Sequence, residues 1–345
     1  MSNSHPFLRA GVFLLAIFFS FPGYAAKTDI VMLVNGDAVT GEIKALDFGA
    51  LRYSTDSMGT VSIDWEDVVG ITSNRRLQIE LTDGRRYFGS LSGTGNDFHI
   101  RVQTASREVE VPSDQIVRIT PIEQGEKFWQ RLEGSFSLGF QTQKSSEVAT
   151  SNVSVDVYRR ARRFLVGLQV NSAVTDQPSE ETKARQSVQA NYQRFRDSRW
   201  FTDWFTSWEK NDELGIQGRV STGGALGRYI LQTNRNQLSA TVGVQAARTS
   251  YTGEDESDTQ AEGRIEIRYL RRSLIPDASV MFTTKIYPLL DDLSQYRAES
   301  DLSFRREFFE DLYLDLTLGH SYLSNPPDGS ASTDYNVTTS LGYSF

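Results

Sequence analysis

The chain has 345 residues, with 36 Lys and Arg against 44 Asp and Glu, a formal net charge of −8, and no cysteine. This composition excludes a global basic field for nucleic acid, a disulfide scaffold and any site built on cysteine ligands or a cysteine nucleophile. The length predicts two domains. Charged residues make up 23% of the chain, which is too many for a bundle of membrane helices but fits a β-protein with one apolar face.

Residues 1–25 have the pattern of a secretion signal. Arg9 precedes an apolar run at 11–21, and residues 23–25 form a small-x-small cleavage site. The alternative, an N-terminal membrane anchor, is disfavoured because the run is ~12 residues and a spanning helix needs ~20. We therefore expect an exported protein that starts near Ala26. No later stretch reaches spanning length without charges, so no transmembrane helix is expected.

Residues 26–122 contain an internal repeat with a constant offset of 48 positions, in which 32–43 aligns with 80–91. Each copy runs through a strand, an Asn-Gly or Asp-Gly turn, a second strand and further short strands. Each copy resembles a small five-stranded barrel of the SH3-like or Sm-like type. The paired positions are Gly36/Gly84, Gly41/Gly89, Val61/Val109, Ile63/Val111, Val68/Ile116 and Ile71/Ile119.

Sm-like barrels often bind RNA, but the repeat has 10 Lys and Arg against 14 Asp and Glu, the wrong balance for phosphate. We therefore expect no nucleic-acid partner. The pairs at 75–76 and 85–86 are interpreted as solvated strand ends, and His99 as a surface or packing residue. The favoured interpretation is a periplasmic spacer or a module that docks a periplasmic protein, followed by a linker at 123–130.

Residues 131–345 predict a 12-stranded antiparallel transmembrane β-barrel. Leu312, Leu314 and Leu316 alternate with polar residues, and other segments repeat this period of two over ten or more residues. Soluble sheets use shorter strands, whereas an outer membrane requires ~9–11 residues in each. The predicted strands are 131–141, 150–158, 162–173, 183–195, 199–209, 213–233, 236–249, 259–271, 276–287, 293–306, 311–323 and 333–345.

The connections between these strands alternate in character. Acidic or polar ones, such as 176–181 and 253–258, alternate with short basic ones, such as 159–163 and 196–199. Because outer-membrane barrels have long external loops and short periplasmic turns, we assign the acidic set to the cell exterior. Both ends of the barrel then lie in the periplasm with the N-terminal module.

The last strand carries an assembly signal. Leu341, Tyr343 and the terminal Phe345 share one face, and such an ending resembles the signal that the outer-membrane assembly machinery reads. This ending disfavours the alternative of a soluble sandwich. The expected partners are the assembly machinery, outer-membrane lipid and lipopolysaccharide, in the outer membrane of a Gram-negative bacterium.

The barrel half also resembles a known family. The residues that carry the resemblance are WFTSWEKND at 204–212, GGALGRYI at 223–230 and the terminal Phe345. They are similar to the YdiY-like family of uncharacterised, salt-induced outer-membrane proteins. The resemblance covers about 130–345 and implies a β-barrel in the outer membrane, but it implies no biochemical role.

Two enzymatic or metal-binding alternatives come from individual residues. His320 and Ser324 suggest the His-x-Ser-Asn arrangement of lipid-modifying barrel enzymes, but four residues along a strand span ~13 Å, too far for a hydrogen bond. An acidic loop at 253–258 leaves a Ca²⁺ site open. We expect no catalytic residue, no cofactor and no metal.

Charged residues of mixed sign fall on the predicted inner face. Mixed signs in a narrow lumen either pair across it and close it or leave a narrow polar path. We therefore expect a non-enzymatic barrel that passes small polar solutes or supports envelope integrity, with a purely structural barrel as the alternative. The expected lumen-lining residues are Arg219, Glu262, Arg264, Glu266, Arg268, Lys285, Arg297, Glu299, Asp301, Arg305 and Asp315.

Overall fold

The computed structural model describes residues 27–93, 98–122, 132–143, 148–161, 163–176, 182–196, 198–253, 257–274, 277–309, 311–326 and 331–344. The secretion signal, the linker and Phe345 lie outside the described residues. The described chain is all-β apart from two single turns of 3₁₀-helix. None of its helices is long and apolar enough to cross a membrane.

The N-terminal module contains nine strands and both 3₁₀ turns. The turns, Trp65–Asp67 and Ser113–Gln115, are 48 positions apart, and the Trp65 indole nitrogen donates to the Ser113 carbonyl at 2.8 Å. The repeat in sequence is therefore a repeat in structure. The strands are β1 (Asp29–Leu33), β2 (Ala38–Asp47), β3 (Ala50–Ser54), β4 (Thr60–Asp64), β5 (Val68–Leu81), β6 (Arg86–Gly93), β7 (His99–Thr104), β8 (Glu108–Pro112) and β9 (Ile116–Pro121).

The two copies form one unit. β5 serves both, since its first half pairs with β1 and its second half with β9. β9 also pairs with β2, so that β1, β2, β9 and β5 close a four-stranded ring across the copies. The expected five-stranded closure within each copy is replaced by this shared ring, because one continuous strand belongs to both. A single apolar core, from Val31 in the first copy to Ile119 in the second, fills the module.

The second part of the chain is a closed antiparallel barrel of twelve strands, which confirms the predicted fold class. Its strands have 11 to 17 residues, and the last closes on the first through pairs such as Phe136 with Tyr343. They are β10 (Glu133–Gln143), β11 (Val148–Arg160), β12 (Phe164–Asp176), β13 (Lys183–Phe195), β14 (Trp200–Asn211), β15 (Ile216–Gln232), β16 (Asn236–Tyr251), β17 (Asp258–Leu274), β18 (Asp277–Pro288), β19 (Tyr296–Phe309), β20 (Leu312–Leu323) and β21 (Thr333–Ser344).

The barrel has an apolar outer face. Large hydrophobic side chains at alternate positions of every strand point away from the lumen and are exposed, as lipid requires and water does not. Closing the sheet leaves no strand edge, so the backbone groups pair within it. Examples are Phe136, Leu138, Val153, Leu168, Val188, Trp204, Val220, Val242, Val244, Ile265, Ile267, Phe282, Leu302, Leu316, Val337 and Leu341.

The two ends of the barrel differ. One, here called the module end, carries both barrel termini, the short connections and all the contacts with the N-terminal module that are described below. The other, the far end, carries the longer connections, such as 177–182 and 324–332. The alternation of short and long connections therefore separates the two ends.

Candidate lumen and its two mouths

The predicted lumen residues lie on the inner face of β15 to β20. Arg219, Glu262, Arg264, Arg297 and Asp315 are buried. Along neighbouring strands Lys285 lies opposite both Glu266 and Glu299, so positive and negative side chains alternate around the wall. Arg268 contacts the sulfur of Met281 at 3.2 Å. Asp301 lies on β19 opposite Thr283, two positions along the strand from Glu299.

Ion pairs cross the lumen near the far end. Arg297 on β19 lies 3.0 Å from the carboxylate of Glu209 on β14 and also pairs with Glu299. Arg219 pairs with Glu262, two strands away. The contacts of Arg297 with Glu209 and of Arg219 with Glu262 join strands that are not neighbours, so these side chains meet in the interior and constrict it.

One further inner-face residue, Arg185, completes this constriction. Arg185 on β13 binds Asn336 at 2.9 Å and Asp334 at 3.3 Å, both on β21, and Ser321 at 2.9 Å on β20. Neither Arg185 nor Glu209 is among the lumen residues predicted from the sequence. Both could have been found from parity alone, since each shares a face with polar neighbours two positions away on its own strand.

The middle of the lumen is closed on one side by charge and aromatic packing. Arg264 pairs with Glu266 at 2.6 Å and lies 3.8 Å over the ring of Phe205. Closer to the module end, Arg305 reaches Asp315 at 3.5 Å. The ion pairs of β14 to β20 therefore cancel much of the field along this wall, although one buried carboxylate oxygen of Asp203 on β14 has no hydrogen-bond partner among the described residues.

The opposite wall, formed by β11 to β13, is different. Between Arg160 at one end and Arg185 at the other, its inner face carries mainly hydroxyl and amide side chains, with the carboxylate of Asp156 on β11 opposite Gln169. Ser154 donates to Asn171 at 2.6 Å, and Asn171 donates to Ser187 at 3.5 Å. Gln169 and Asn171 are exposed although they point inward. We call Ser154, Gln169, Asn171, Ser187 and Gln189 the neutral track. Exposed inner-face groups mean that open space adjoins this wall.

The far mouth contains a cavity of about 620 Å³. Arg219, Glu262 and Arg297 lie at its charged side, and Tyr251, Tyr287 and Tyr296 supply rings. The ion pairs described above thus form the inner limit of an open vestibule.

At the module end, the N-terminal module enters the mouth. Glu80 is only 2% exposed, accepts from the Gln232 amide at 3.3 Å and lies 3.8 Å from Arg160. Within the module Arg86 and Arg118 lie 3.4 and 3.9 Å from the same carboxylate. Burial raises the pKa of Glu80, but Arg118, Arg160 and Arg86 outweigh it and hold that pKa below its usual value.

The contacts of the module extend around half of the rim. Arg52 pairs with Glu133 at the start of β10 at 2.8 Å, and Arg235 pairs with Glu66 at 2.7 Å in the turn after β15. The expectation that Arg85 and Arg86 are solvated strand ends is met only by Arg85, which is exposed. Arg86 is nearly buried and lies over the ring of Phe195. Arg86 is buried because the barrel covers it, which no pattern within the repeat could indicate.

The residues behind the enzymatic alternative are not brought together. His320 points to the outer face and is exposed. The Ser324 hydroxyl accepts from the backbone amide of Tyr296 at 2.8 Å and is not directed at a base. Residues 254–256 of the acidic loop lie outside the described residues, and within the described ranges no three His, Asp or Glu side chains form a metal-binding group. Leu341 and Tyr343 of the assembly signal lie on the lipid side.

Comparisons with known proteins concern the barrel. The family described as "Protein of unknown function, DUF481" matches residues 135–345. No curated protein matches the chain. Among solved structures, the NanC porin shares 11% identity over 62% of this chain and 98% of its own, with a TM-score of 0.40. An outer membrane channel from Pseudomonas putida F1 shares 8% over 62% and 94%, with a TM-score of 0.37. The β domain of the Bordetella autotransporter BrkA shares 12% over 62% and 97%, with a TM-score of 0.33.

Proposed function

Since the chain belongs to the DUF481 family of proteins of unknown function, we propose that it is a non-enzymatic outer-membrane barrel that passes small polar solutes along its neutral track. The observation that carries this proposal is the exposure of inward-pointing Gln169 and Asn171, opposite a wall where many of the charges form ion pairs. Hydroxyl and amide groups both donate and accept hydrogen bonds, and the Asp156 carboxylate beside them lies opposite Gln169. Such a surface suits uncharged hydrophilic solutes.

The orientation follows from the same argument. The short connections and the N-terminal module lie on the periplasmic side, and the far mouth opens to the cell exterior. The apolar outer face contacts outer-membrane lipid and lipopolysaccharide. Leu341 and Tyr343, with Phe345 behind them, form the signal for the assembly machinery. A periplasmic protein is a further partner that the module can accept on the surface that the barrel leaves free.

The test is solute flux through the full mature chain reconstituted in lipid vesicles. Swelling in neutral and charged solutes of equal size measures passage, and planar-bilayer recordings measure ion conductance. Asn171→Phe narrows the neutral track, whereas the matched control Val170→Phe adds the same ring on the lipid side of the same strand. We expect reduced flux only for Asn171→Phe. Equal flux in both variants would exclude the neutral track as the path.

A closed structural barrel is the second candidate function. The specific observation in its favour is the set of cross-lumen ion pairs, led by Arg297 with Glu209, together with the module in the opposite mouth. It predicts no flux and no conductance in the wild-type chain or in any variant whose module is released. Envelope integrity would then be the role, and detergent sensitivity of cells lacking the protein would be its readout.

A further inference from the structure

The two copies of the repeat differ where the second copy meets the barrel. Glu80, Arg86 and Arg118 of the second copy correspond, at the offset of 48, to Met32, Ala38 and Gly70 of the first. Met32 is 40% exposed, and it still lies in a strand, β1, the counterpart of the part of β5 that carries Glu80. The charges are therefore not needed to fold a copy of the repeat, and they are confined to the copy that makes the buried contact with the inner face of the barrel.

A turn shows the same specialisation. Gly36 and Gly84 are equivalent and have φ of +88° and +84°. Nothing lies within 4 Å of a Cβ built on Gly36, whereas one on Gly84 would lie 2.6 Å from the backbone nitrogen of Arg199. Only glycine lets the second turn approach the connection between β13 and β14 so closely. The same turn is thus free in one copy and packed on the barrel in the other.

The partners of this surface point into the barrel. Arg160, Phe195 and Gln232 end β11, β13 and β15 on the inner face, and all three contact Glu80 or Arg86. Arg160 also lies 4.1 Å over the ring of Phe195. The second copy therefore sits inside the mouth and not on its outer rim.

Glu80 is the anion on which this arrangement depends. Arg118 has a second anion, Asp47, at 2.5 Å, but Glu80 is the carboxylate nearest to Arg86 and Arg160 among the ion pairs of the described chain. Removing its charge would leave guanidinium groups facing one another in a buried place, which is strongly unfavourable. The rim pairs of Arg52 and Arg235 are exposed and contribute little.

We infer that the second copy of the repeat is a plug for the periplasmic mouth, held by Glu80, and that solute passes only when it is released. This inference rests on the proposed function. The partner of the docking surface is the barrel of the same chain, and the device regulates passage by closing one mouth. The equivalent surface of the first copy stays outside the mouth.

A disulfide lock tests the plug in the full chain. Gly49 lies in the first copy, but because the two copies share one core, a bond there holds the second copy in place as well. A Cβ built on Gly49 would lie 3.5 Å from the Cβ of Asn234, within the range of natural disulfides, and the chain contains no cysteine that could compete. We expect Gly49→Cys with Asn234→Cys to cross-link on oxidation, to lower vesicle flux at least about tenfold, and to recover on reduction. The single variant Gly49→Cys controls for strain at this positive-φ position.

Release is tested separately with Glu80→Gln. We expect it to lower the yield of the Gly49–Asn234 cross-link and to raise flux several-fold. Glu108→Gln, an exposed carboxylate of β8 that pairs with Arg101, is the matched control and should change neither. Because the lock does not require Glu80→Gln to fold, the inference stays testable if that variant is unstable.

The outcomes separate the two proposals. Flux that is measurable but indifferent to both the lock and Glu80→Gln would overturn the plug and leave the passage standing. Failure of the lock to form in the double variant would also overturn the plug. Flux that is absent in the reduced lock, in Glu80→Gln and in the wild type would overturn the passage itself.

Discussion

Arg297 on β19 and Glu209 on β14 are joined across the lumen at 3.0 Å, although five steps around the sheet separate their strands. Arg297 also lies 4.3 Å over the ring of Tyr287. A wall-to-wall contact of this kind limits the opening at the far end and fixes opposite sides of the barrel to one another.

Neutralising either residue of this pair should lower the free energy of unfolding of the barrel, and the two losses should not add. Breaking a buried pair leaves an unpaired charge, so Arg297→Gln should cost about 3–5 kcal/mol of unfolding free energy. The double variant with Glu209→Gln should recover about 1–3 kcal/mol of the summed losses. Equilibrium unfolding in detergent micelles measures the free energy of unfolding of the wild-type chain, the two single variants and the double variant.

The exposed pair of Lys183 and Glu213, at 3.1 Å, is the control, and its coupling energy should be less than about 1 kcal/mol. Equal coupling energies for both pairs would mean that water screens charges in the lumen as strongly as at the protein surface.

A charged side chain on the outer face of the barrel should lower the free energy of unfolding more than one on the surface of the module. Val242 lies at the middle of β16 and is 63% exposed, and Val34 in the module is 56% exposed. In lipid, Val242→Arg should destabilise the reconstituted protein by about 2–4 kcal/mol because the bilayer midplane cannot solvate the charge. Val34→Arg faces water and should change stability by no more than about 0.5 kcal/mol. The measurement is equilibrium unfolding from lipid vesicles. Similar values for the two variants would show that water, and not hydrocarbon, surrounds the barrel.

Inner-face glycines make room for aromatic rings. A Cβ at Gly227 would lie 2.3 Å from the ring of Phe201, whereas one at Gly218 on the same strand finds its first neighbour at 3.8 Å. Gly227→Ala should therefore cost about 1–3 kcal/mol through overpacking. Gly218→Ala should be neutral or slightly stabilising, since alanine restricts the unfolded chain. Thermal unfolding by circular dichroism compares them, and an unchanged midpoint for Gly227→Ala would mean that Phe201 moves freely.

Alternation predicted the barrel because it reports which face a side chain occupies. It therefore gave twelve strands and the inward side of residues such as Arg264. It could not give the partner of Arg297, because parity carries no information on distance around a closed sheet. The docking of Glu80 was equally hidden. Within the repeat it is one acidic residue on a strand, and its role depends on Arg160 and Gln232, which lie 80 or more positions later.

Acid should release the plug only well below neutral pH. Burial raises the pKa of Glu80, but the nearby charges of Arg118, Arg160 and Arg86 together lower it below its usual value. A group with a lowered folded-state pKa stabilises docking fully above the unfolded value of ~4.3 and loses that contribution as pH falls through the folded value. The thermal midpoint of the wild-type chain should therefore exceed that of Glu80→Gln by the same amount at pH 7 and pH 5.5, and the gap should shrink below about pH 4. Scanning calorimetry of the full chain in detergent at each pH measures the gap, and Glu108→Gln should show none. A gap that closes between pH 7 and pH 5.5 would mean that burial outweighs the three arginines and that Glu80 docks as a neutral acid.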